Sequence, residues 1–316
     1  MPISTSLSVA AIQSRTARIH MRLSRPANTG FKGPVSVGPL RIHVGDVGAL
    51  RSVVENVFVD LLNGYTDGYV PRGRTLDVAV SMAISDTPLA QDTPNGRYVP
   101  YKDGSYLSRW GFWDVRLYDF ERDGSPRAEL LLSPDIPSEN HVDGVIMFLR
   151  TVIASAAPLV DSLMFHGCAV AEQNLTRGIL FLGASGDGKT TMARRLDAWR
   201  CLGDDTVLVT LDGNGVPHVS GTPFAGSEGN PRLAYDVPFE EVYFLQPRSD
   251  ALRIVPLDTS QAFGEMMNRL MWFVDGGVLR ERMLDLMGRL ASSLRAAHLE
   301  SGLEHDISEV FTPLPC

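Results

Sequence analysis

The chain has 316 residues, a formal net charge of −8 and a pI near 5.4. Its 44% hydrophobic and 21% charged residues are typical of soluble globular proteins and exclude disordered and fibrous classes, and its length favours two domains. The acidic balance and the lack of clustered Lys and Arg argue against a nucleic-acid partner, because such binding depends on neutralising phosphates.

The cysteines and the apolar segments bear on the compartment. Cys168, Cys201 and Cys316 are too few and too scattered for a disulfide framework or a zinc site, which favours a reducing compartment. The first 20 residues lack the pattern of a secretory signal. Residues 145–160 form the longest apolar stretch, but it contains Arg150 and Pro158 and is too short for a membrane span. We therefore expect a cytoplasmic protein with no membrane partner.

The sequence pattern of the first half predicts a small α+β accessory domain over residues 1–140. An amphipathic helix is predicted over 47–62, and a second helix over 142–158, capped by the residues at 138–140, within a linking segment 141–160. Short alternating segments between Gly, Pro, Asp and Asn predict strands. These strands are residues 40–44, 76–84, 113–118 and 128–132.

The sequence of residues 161–316 predicts a second domain, an α/β unit with a mixed sheet and helices. Turns are predicted at 174–177 and 212–215. The predicted strands are residues 164–171, 178–182, 201–203, 206–211, 216–220 and, as the final strand, 242–246. The predicted helices are residues 190–199, 259–274 and 279–299, the last with one apolar face for core packing.

Residues 183–190 match the phosphate-binding pattern G-x-x-x-x-G-K-[ST] without a mismatch, between an apolar strand and a helix. Glycines there let backbone N–H groups surround phosphates, while Lys189 reaches the terminal phosphates and the Thr190 hydroxyl binds Mg²⁺. A glycine-rich turn without ligand is the alternative. The nucleotide-binding residues are expected to be Gly183, Ala184, Ser185, Gly186, Asp187, Gly188, Lys189, Thr190 and Thr191. The chain lacks an Asn-Lys-x-Asp guanine motif, which makes ATP the expected nucleotide.

An acidic residue from a second strand commonly completes such a site. Asp212, at the end of strand 206–211, is one candidate, but the following Gly-Asn-Gly indicates a hairpin turn. The pair Asp204-Asp205 is favoured, because a metal would offset the repulsion of adjacent carboxylates and one of them could accept a proton from a hydroxyl. A solvated turn is the alternative for this pair.

His166-Gly167-Cys168, then residues 183–190, then Asp204-Asp205 in this order resemble the catalytic domain of the HPr serine kinase/phosphorylase family, whose fold is similar to that of phosphoenolpyruvate carboxykinase. The resemblance covers about residues 160–245. It implies a P-loop kinase domain of HPr-kinase type. It also implies that Asp204 is the general base, that Asp205 assists Thr190 at the metal, and that His166 stands close to both, with a core histidine as the alternative.

The chain departs from that family in two places. Thr191 stands where bacterial HPr kinases typically carry Glu, and their Arg-Gly-x-Gly signature is missing. The stretch beginning Gly221-Thr222-Pro223 resembles divergent HPr-kinase-like proteins found near peptide-modification and other biosynthetic genes. Residues 221–229 have the composition of a loop that covers the nucleotide. Arg232 is either a group that neutralises the transferred phosphoryl or a surface arginine.

The motifs lead to two functional hypotheses. The first is an ATP- and Mg²⁺-dependent kinase, with Lys189, Asp204, Asp205 and His166 as catalytic residues and a hydroxyl-bearing protein, peptide or small molecule as acceptor. The second is a nucleotide-dependent switch or NTPase whose N-terminal domain binds a partner. In either case that domain is expected to present the acceptor, to cover it, or to mediate homo-oligomer contacts.

Overall fold

A computed structural model of the chain describes residues 34–63, 65–66, 68–70, 74–89, 97–101, 103–110, 112–121, 125–224, 232–247, 250–302, 305–307 and 310–311. Residues 32–316 form one compact unit. Its architecture is mixed α/β, with two mixed sheets and a few helices. The coarse fold class predicted from the sequence is thereby confirmed, whereas the division at residues 140 and 160 stays a prediction.

The first sheet lies in the N-terminal half and has the order β1-β2-β4-β8-β7-β6-β5. Strand β4 alternates buried and exposed side chains, because one face of the sheet packs on the core and the other meets solvent. Strands β2, β4 and β7 have the bounds predicted from the sequence. The strands of this half are β1 Val35–Val37, β2 Leu40–Val44, β3 Tyr65–Thr66, β4 Leu76–Ile84, β5 Val99–Pro100, β6 Tyr106–Arg109, β7 Trp113–Tyr118 and β8 Arg127–Leu132.

Two helices supply the core of this half. Helix α1, Arg51–Leu62, buries Val54, Val57, Phe58 and Leu61, while helix α2, His141–Ala156, is buried along most of its length. Both pack with the apolar face of the first sheet in one cluster, which also takes in residues of the second half such as Met164. Both helices are shorter than predicted, because short 3-10 turns occupy Gly48–Leu50 and Ala157–Val160.

Helix α2 belongs to the segment Ser138–Val160, which by length and composition alone could cross a membrane. In the fold, 72% of its apolar window is buried inside the protein. The expectation that this stretch is too short for a membrane span is therefore wrong, because the helical segment that contains it is long enough. Its apolar character is explained by its burial in the core. The segment is thus a mostly buried core helix.

The second sheet has the order β10-β9-β12-β13-β15-β17-β16, with β11 paired to β9. An additional parallel pairing of β10 with β15 turns β10, β9, β12, β13 and β15 into a closed circuit of strands. A pair outside it, β14 with β3, joins the two halves of the chain. The strands are β9 Ser162–Ala171, β10 Gly178–Leu182, β11 Arg200–Gly203, β12 Thr206–Leu211, β13 Pro217–Gly221, β14 Arg232–Leu233, β15 Val237–Pro247, β16 Arg253–Pro256 and β17 Arg295–Ser301.

Helices cover both faces of this sheet, which explains why β10 is buried at every position. Along β10, Leu180 and Leu182 face the cluster shared with helices α4, Thr259–Met267, and α5, Gly277–Ser293. Ile179 and Phe181 face the opposite cluster, formed with helix α3, Lys189–Arg195, and the buried Phe311. The alternation of a strand thus divides the apolar residues between two layers.

Three helix predictions in this half are wrong at their C-terminal ends. Helix α3 stops at Arg195, because the chain turns to bury Trp199, whose Nε1 donates to the Phe311 carbonyl at 2.8 Å. Helix α4 stops at Met267, because the following residues bridge to β9, with Leu270 opposite Phe165. Helix α5 ends at Ser293, and the chain continues as β17.

The prediction of 242–246 as the final strand is also wrong. Strand β17 pairs in parallel with β15, and β16 pairs with β17. Backbone pairing at the edge of β15 overrides the helical propensity of Ala296 and Ala297. The other strand predictions are confirmed to within a few residues, with β10 and β12 at the predicted bounds.

Candidate functional site

The segment 183–190, here called the glycine loop, connects the C-terminal end of β10 to α3. Gly186 and Gly188 adopt positive φ angles of 93° and 88°, a conformation that favours glycine. A Cβ added at Gly186 would meet no atom within 4 Å, so the space beside this residue is open. The loop has room for a ligand that approaches its backbone.

Lys189 is folded back onto this loop. Its Nζ donates to the carbonyl of Gly183 at 2.9 Å and to that of Ala184 at 2.8 Å, and the residue is 6% exposed. Burial lowers the pKa of Lys189, and the nearby carboxylates of Asp187 and Asp205 act in the opposite direction. The ammonium group therefore has two backbone carbonyls as its hydrogen-bond acceptors, which a bound anion would replace.

Asp187 also closes the loop from within. Its carboxylate accepts a hydrogen bond from the Ala184 N–H, and its own N–H donates to the Ala184 carbonyl at 3.2 Å. Ser185 is exposed, and Thr191 is partly exposed on the first turn of α3. The loop is thus held by Lys189 and Asp187, and one of its N–H groups is already occupied by a carboxylate.

Thr190 and Asp204 meet at the start of α3. The Thr190 hydroxyl donates to Asp204 Oδ2 at 3.4 Å, and Asp204 is only 3% exposed. Asp204 follows β11, which crosses β13 so closely that a Cβ at Gly221 would collide with the Leu202 carbonyl. The sequence-based assignment placed Asp205 at the metal with Thr190, but the side chain that lies beside the Thr190 hydroxyl is Asp204.

Asp205 faces the other way, toward His166. The two lie at the same level because β12 begins opposite the middle of β9, with Thr206 paired to His166. His166 Nδ1 is 3.5 Å from Asp205 Oδ1, and the Thr206 hydroxyl donates to Asp205 Oδ2 at 3.2 Å. Burial lowers the pKa of His166, so its imidazole is neutral at neutral pH. Of the two aspartates that His166 was expected to approach, it thus lies beside Asp205.

Arg150 is a site residue that the sequence analysis did not assign. It comes from α2, and its Nη2 donates to Asp205 Oδ2 at 2.9 Å while its guanidinium lies 5.0 Å from the Phe224 ring centroid. The sequence held a signal for it, because an arginine inside an otherwise apolar helix needs an acidic partner when that helix is buried.

A second group that the sequence analysis missed lies beyond α4. The carbonyl of Arg269 accepts from the His166 N–H at 2.9 Å, which fixes the segment after α4 beside β9. The Arg269 side chain pairs with Glu265 and covers the Phe244 ring at 5.7 Å, and Glu265 also lies 3.3 Å from His298. Arg269 is close enough to Lys189 to lower the pKa of that amine. Arg269 thus lies close to both His166 and Lys189, and its charge is paired with Glu265.

Arg232 is not a surface arginine, whereas its predicted role at the transferred phosphoryl stays a prediction. It is 9% exposed, and its guanidinium donates to the backbone carbonyls of Leu61, at 3.0 Å, and of Asn63 and Pro223. It ties the end of α1 to the second half of the chain. Most of the predicted covering loop, residues 221–229, lies outside the described residues, which end at 224 and resume at 232.

The opposite end of β12 holds a second acidic group. Asp212 caps a hairpin, where its Oδ1 accepts from Asn214 N at 2.8 Å and from Val216 N at 2.9 Å, so the predicted turn is confirmed. Its other oxygen is 3.7 Å from Nε2 of the buried His218, and His218 Nδ1 is 3.3 Å from Asp236. Asp212 therefore lies at the end of β12 away from the glycine loop.

Within the described ranges, no three His, Cys, Asp or Glu side chains converge as a metal-binding group. Mg²⁺ on a nucleotide needs fewer protein ligands, because one or two carboxylates or hydroxyls are combined with phosphate oxygens and water. The Thr190 hydroxyl and the Asp204 carboxylate form such a donor set.

Residues 134–275 match the model of the family described as "ScmC: SynChlorMet cassette protein ScmC". The match covers less than half of the chain, and it includes α2, the glycine loop, His166 and the acidic pair. No curated protein shows significant similarity to the chain. The part of the chain that is similar to the ScmC family thus contains the candidate site.

Proposed function

We propose that the protein is an ATP- and Mg²⁺-dependent kinase that transfers the γ-phosphoryl group to a hydroxyl acceptor, as the resemblance to HPr kinase implies. The observation that carries this proposal is the arrangement around the glycine loop. The Thr190 hydroxyl donates to Asp204, His166 lies beside Asp205, and the Lys189 ammonium is close enough to Asp205 and His166 to interact with both electrostatically. A phosphate-binding group and a proton-accepting group thus occupy adjacent positions.

The residues present fit the nucleotide and the metal. The positive φ angles of Gly186 and Gly188 and the open space beside Gly186 are compatible with backbone N–H groups that contact a phosphate. Lys189 exchanges the Gly183 and Ala184 carbonyls for phosphate oxygens. When bound, ATP with Mg²⁺ supplies the phosphoryl group, and the cation offsets the charge that develops during transfer.

The geometry favours an exchange of the two aspartate roles implied by the resemblance. Asp204, buried beside Thr190, is the better placed metal ligand. Asp205 has one oxygen, Oδ1, turned toward His166, and it is 20% exposed. We therefore assign Asp205 as the base that accepts the proton of the acceptor hydroxyl, with the neutral His166 orienting the carboxylate or the hydroxyl.

Radioactive transfer tests the proposal. The protein is incubated with γ-labelled ATP, Mg²⁺ and a panel of Ser- and Thr-containing peptides, small alcohols and fractionated extract. We expect label on a hydroxyl product, and we expect the transfer to be lost in Lys189→Ala, because the γ-phosphate loses its cation. Arg177→Ala is the control, since this arginine pairs with Glu241 away from the site.

Two other outcomes argue against a kinase. Stoichiometric ADP and free phosphate without a labelled product favour the nucleotide-dependent switch or NTPase. Unchanged affinity for ATP in Lys189→Ala contradicts the nucleotide site itself. The division into an accessory domain at 1–140, a linking segment and a catalytic domain at 161–316, and a cytoplasmic location, remain parts of the same proposal.

A further inference from the structure

Arg150 makes specific contacts that distinguish it from a solvent-exposed arginine on a helix surface. It lies on the buried helix α2, with its side chain 23% exposed, and it donates to Asp205 Oδ2 at 2.9 Å. Its guanidinium rests 5.0 Å from the Phe224 ring centroid. Its Nε is buried without a hydrogen-bond partner among the described residues. The Asp205 contact is therefore the polar interaction that compensates for taking this cation out of water.

The contacts of Asp205 are unequal. Within the part of the chain that the structure describes, Arg150 and the Thr206 hydroxyl both donate to Oδ2, whereas the neighbour of Oδ1 is His166, 3.5 Å away. Oδ2 is thus fixed by the charge-assisted bond, and Oδ1 is the oxygen available to a hydroxyl proton. Among the described contacts, Arg150 is the one fully charged group that donates a direct hydrogen bond to this carboxylate. Its loss would remove the charged partner that holds Asp205 in this rotamer.

We propose that Arg150 is the positioning residue for Asp205, so that the acceptor side of the site depends on a helix outside the strand–loop–helix unit that holds the nucleotide. This inference rests on the proposed function, in which Asp205 accepts the acceptor proton. It names a contribution of α2 to the chemistry, and it explains why an apolar core helix carries one arginine. A planar guanidinium suits the place better than an ammonium, because it stacks on Phe224 and donates sideways to Asp205.

The kinetic test compares Arg150→Ala, Arg150→Lys and the control Arg177→Ala. Arg177 is a matched arginine, since it donates to Glu241 at 2.9 Å and lies 5.6 Å from the Trp199 ring centroid, away from the site. With water as the acceptor, kcat and KM are measured for ATP hydrolysis in the presence of Mg²⁺. We expect Arg150→Ala to lower kcat about 100-fold, with KM within about threefold of the wild type, because a misplaced base costs rate rather than nucleotide affinity.

Chemical rescue separates positioning from folding. Added guanidinium ion is expected to restore part of the lost kcat of Arg150→Ala, Arg150→Lys to retain an intermediate rate, and Arg177→Ala to be unaffected in both respects. A KM that rises in parallel with the fall in kcat overturns the proposal. So does the same loss in Arg177→Ala, or an absence of rescue.

A crystal structure of Arg150→Ala decides the question independently of turnover. We expect the Asp205 carboxylate to rotate away from His166, and an unmoved carboxylate overturns the proposal even when the variant is slow. If the wild-type chain hydrolyses no ATP and transfers no phosphate but Asp205 moves in the variant, the proposed function fails and the positioning role stands.

Discussion

The two ends of β12 carry the same kinds of side chain and differ in what surrounds them. At its start, Asp205 and His166 are 20% and 36% exposed, and they lie beside Arg150 and the glycine loop. Past its end, Asp212, His218 and Asp236 are 12%, 3% and 5% exposed and close a hairpin. The presence of a histidine between carboxylates does not identify a functional site. The features that distinguish the proposed site are its access from solvent and its convergence with the glycine loop.

The largest expected effect concerns the open end of β12. Asp205→Asn keeps the shape of the side chain but removes its capacity to accept a proton, and we expect transfer or hydrolysis to fall about 10³-fold. Binding of a fluorescent ATP analogue should stay within about threefold of the wild type, because Asp205 does not contact the glycine loop through a hydrogen bond. A rate equal to that of the wild type would contradict the base assignment. Asp212→Asn is the comparison at the closed end, and its rate should not change.

The closed end should dominate stability instead. His218→Ala leaves Asp212 and Asp236 buried without the imidazole between them, and we expect the free energy of unfolding to fall by about 3 kcal/mol. His166→Ala, at the half-exposed end, should cost less than about 1 kcal/mol. Urea unfolding at neutral pH measures both. Equal losses in the two variants would remove the distinction between a structural and a functional end.

Removal of the metal tests the pairing of Thr190 with Asp204. Thr190→Val keeps the shape of the side chain and loses the hydroxyl, and we expect the affinity for ATP with Mg²⁺ to fall about 10- to 30-fold, equivalent to about 1.5–2 kcal/mol. Binding of ATP in EDTA should hardly change in this variant. A comparable loss with and without Mg²⁺ would show that Thr190 supports the loop rather than the cation.

The smallest expected effect is a gain. Asp187 places a carboxylate on an N–H of the loop that phosphate would otherwise use. Asp187→Asn removes this charge, and we expect ATP to bind about threefold to tenfold more tightly, because about 1 kcal/mol of repulsion between exposed charges is relieved. Titration with a fluorescent ATP analogue measures the change, and Asp197→Asn, past the end of α3, is the control. Weaker binding in Asp187→Asn would instead assign the carboxylate a supporting role in the loop.

The parts of the site that could be predicted are those that depend on local spacing. The glycine loop and the hairpin at Asp212 follow from motifs within short segments, whereas the proximity of His166 to the acidic pair was an implication of the resemblance to HPr kinase. Arg150 could not be paired with Asp205 in advance, because the two are 55 residues apart and only the packing of α2 on β9 brings them together. The division of roles between Asp204 and Asp205 depends on which way each side chain points after β11, and no sequence pattern encodes this direction.

The same limit explains the errors in the fold. The alternating N-terminal strands could be predicted, because one buried face leaves a pattern of period two. Strand β17 could not, because Ala296 and Ala297 favour a helix in isolation and only the free edge of β15 makes them a strand.

The closed circuit of strands implies an order of events during folding. Strand β10 leads directly into the glycine loop. It pairs with β9, which precedes it along the chain, and with β15, which lies much further towards the C-terminus. Pairing over such a separation is slow, because the intervening chain must be ordered first. The loop therefore reaches its final shape only when the circuit closes, and we expect nucleotide binding during refolding to lag behind the formation of secondary structure.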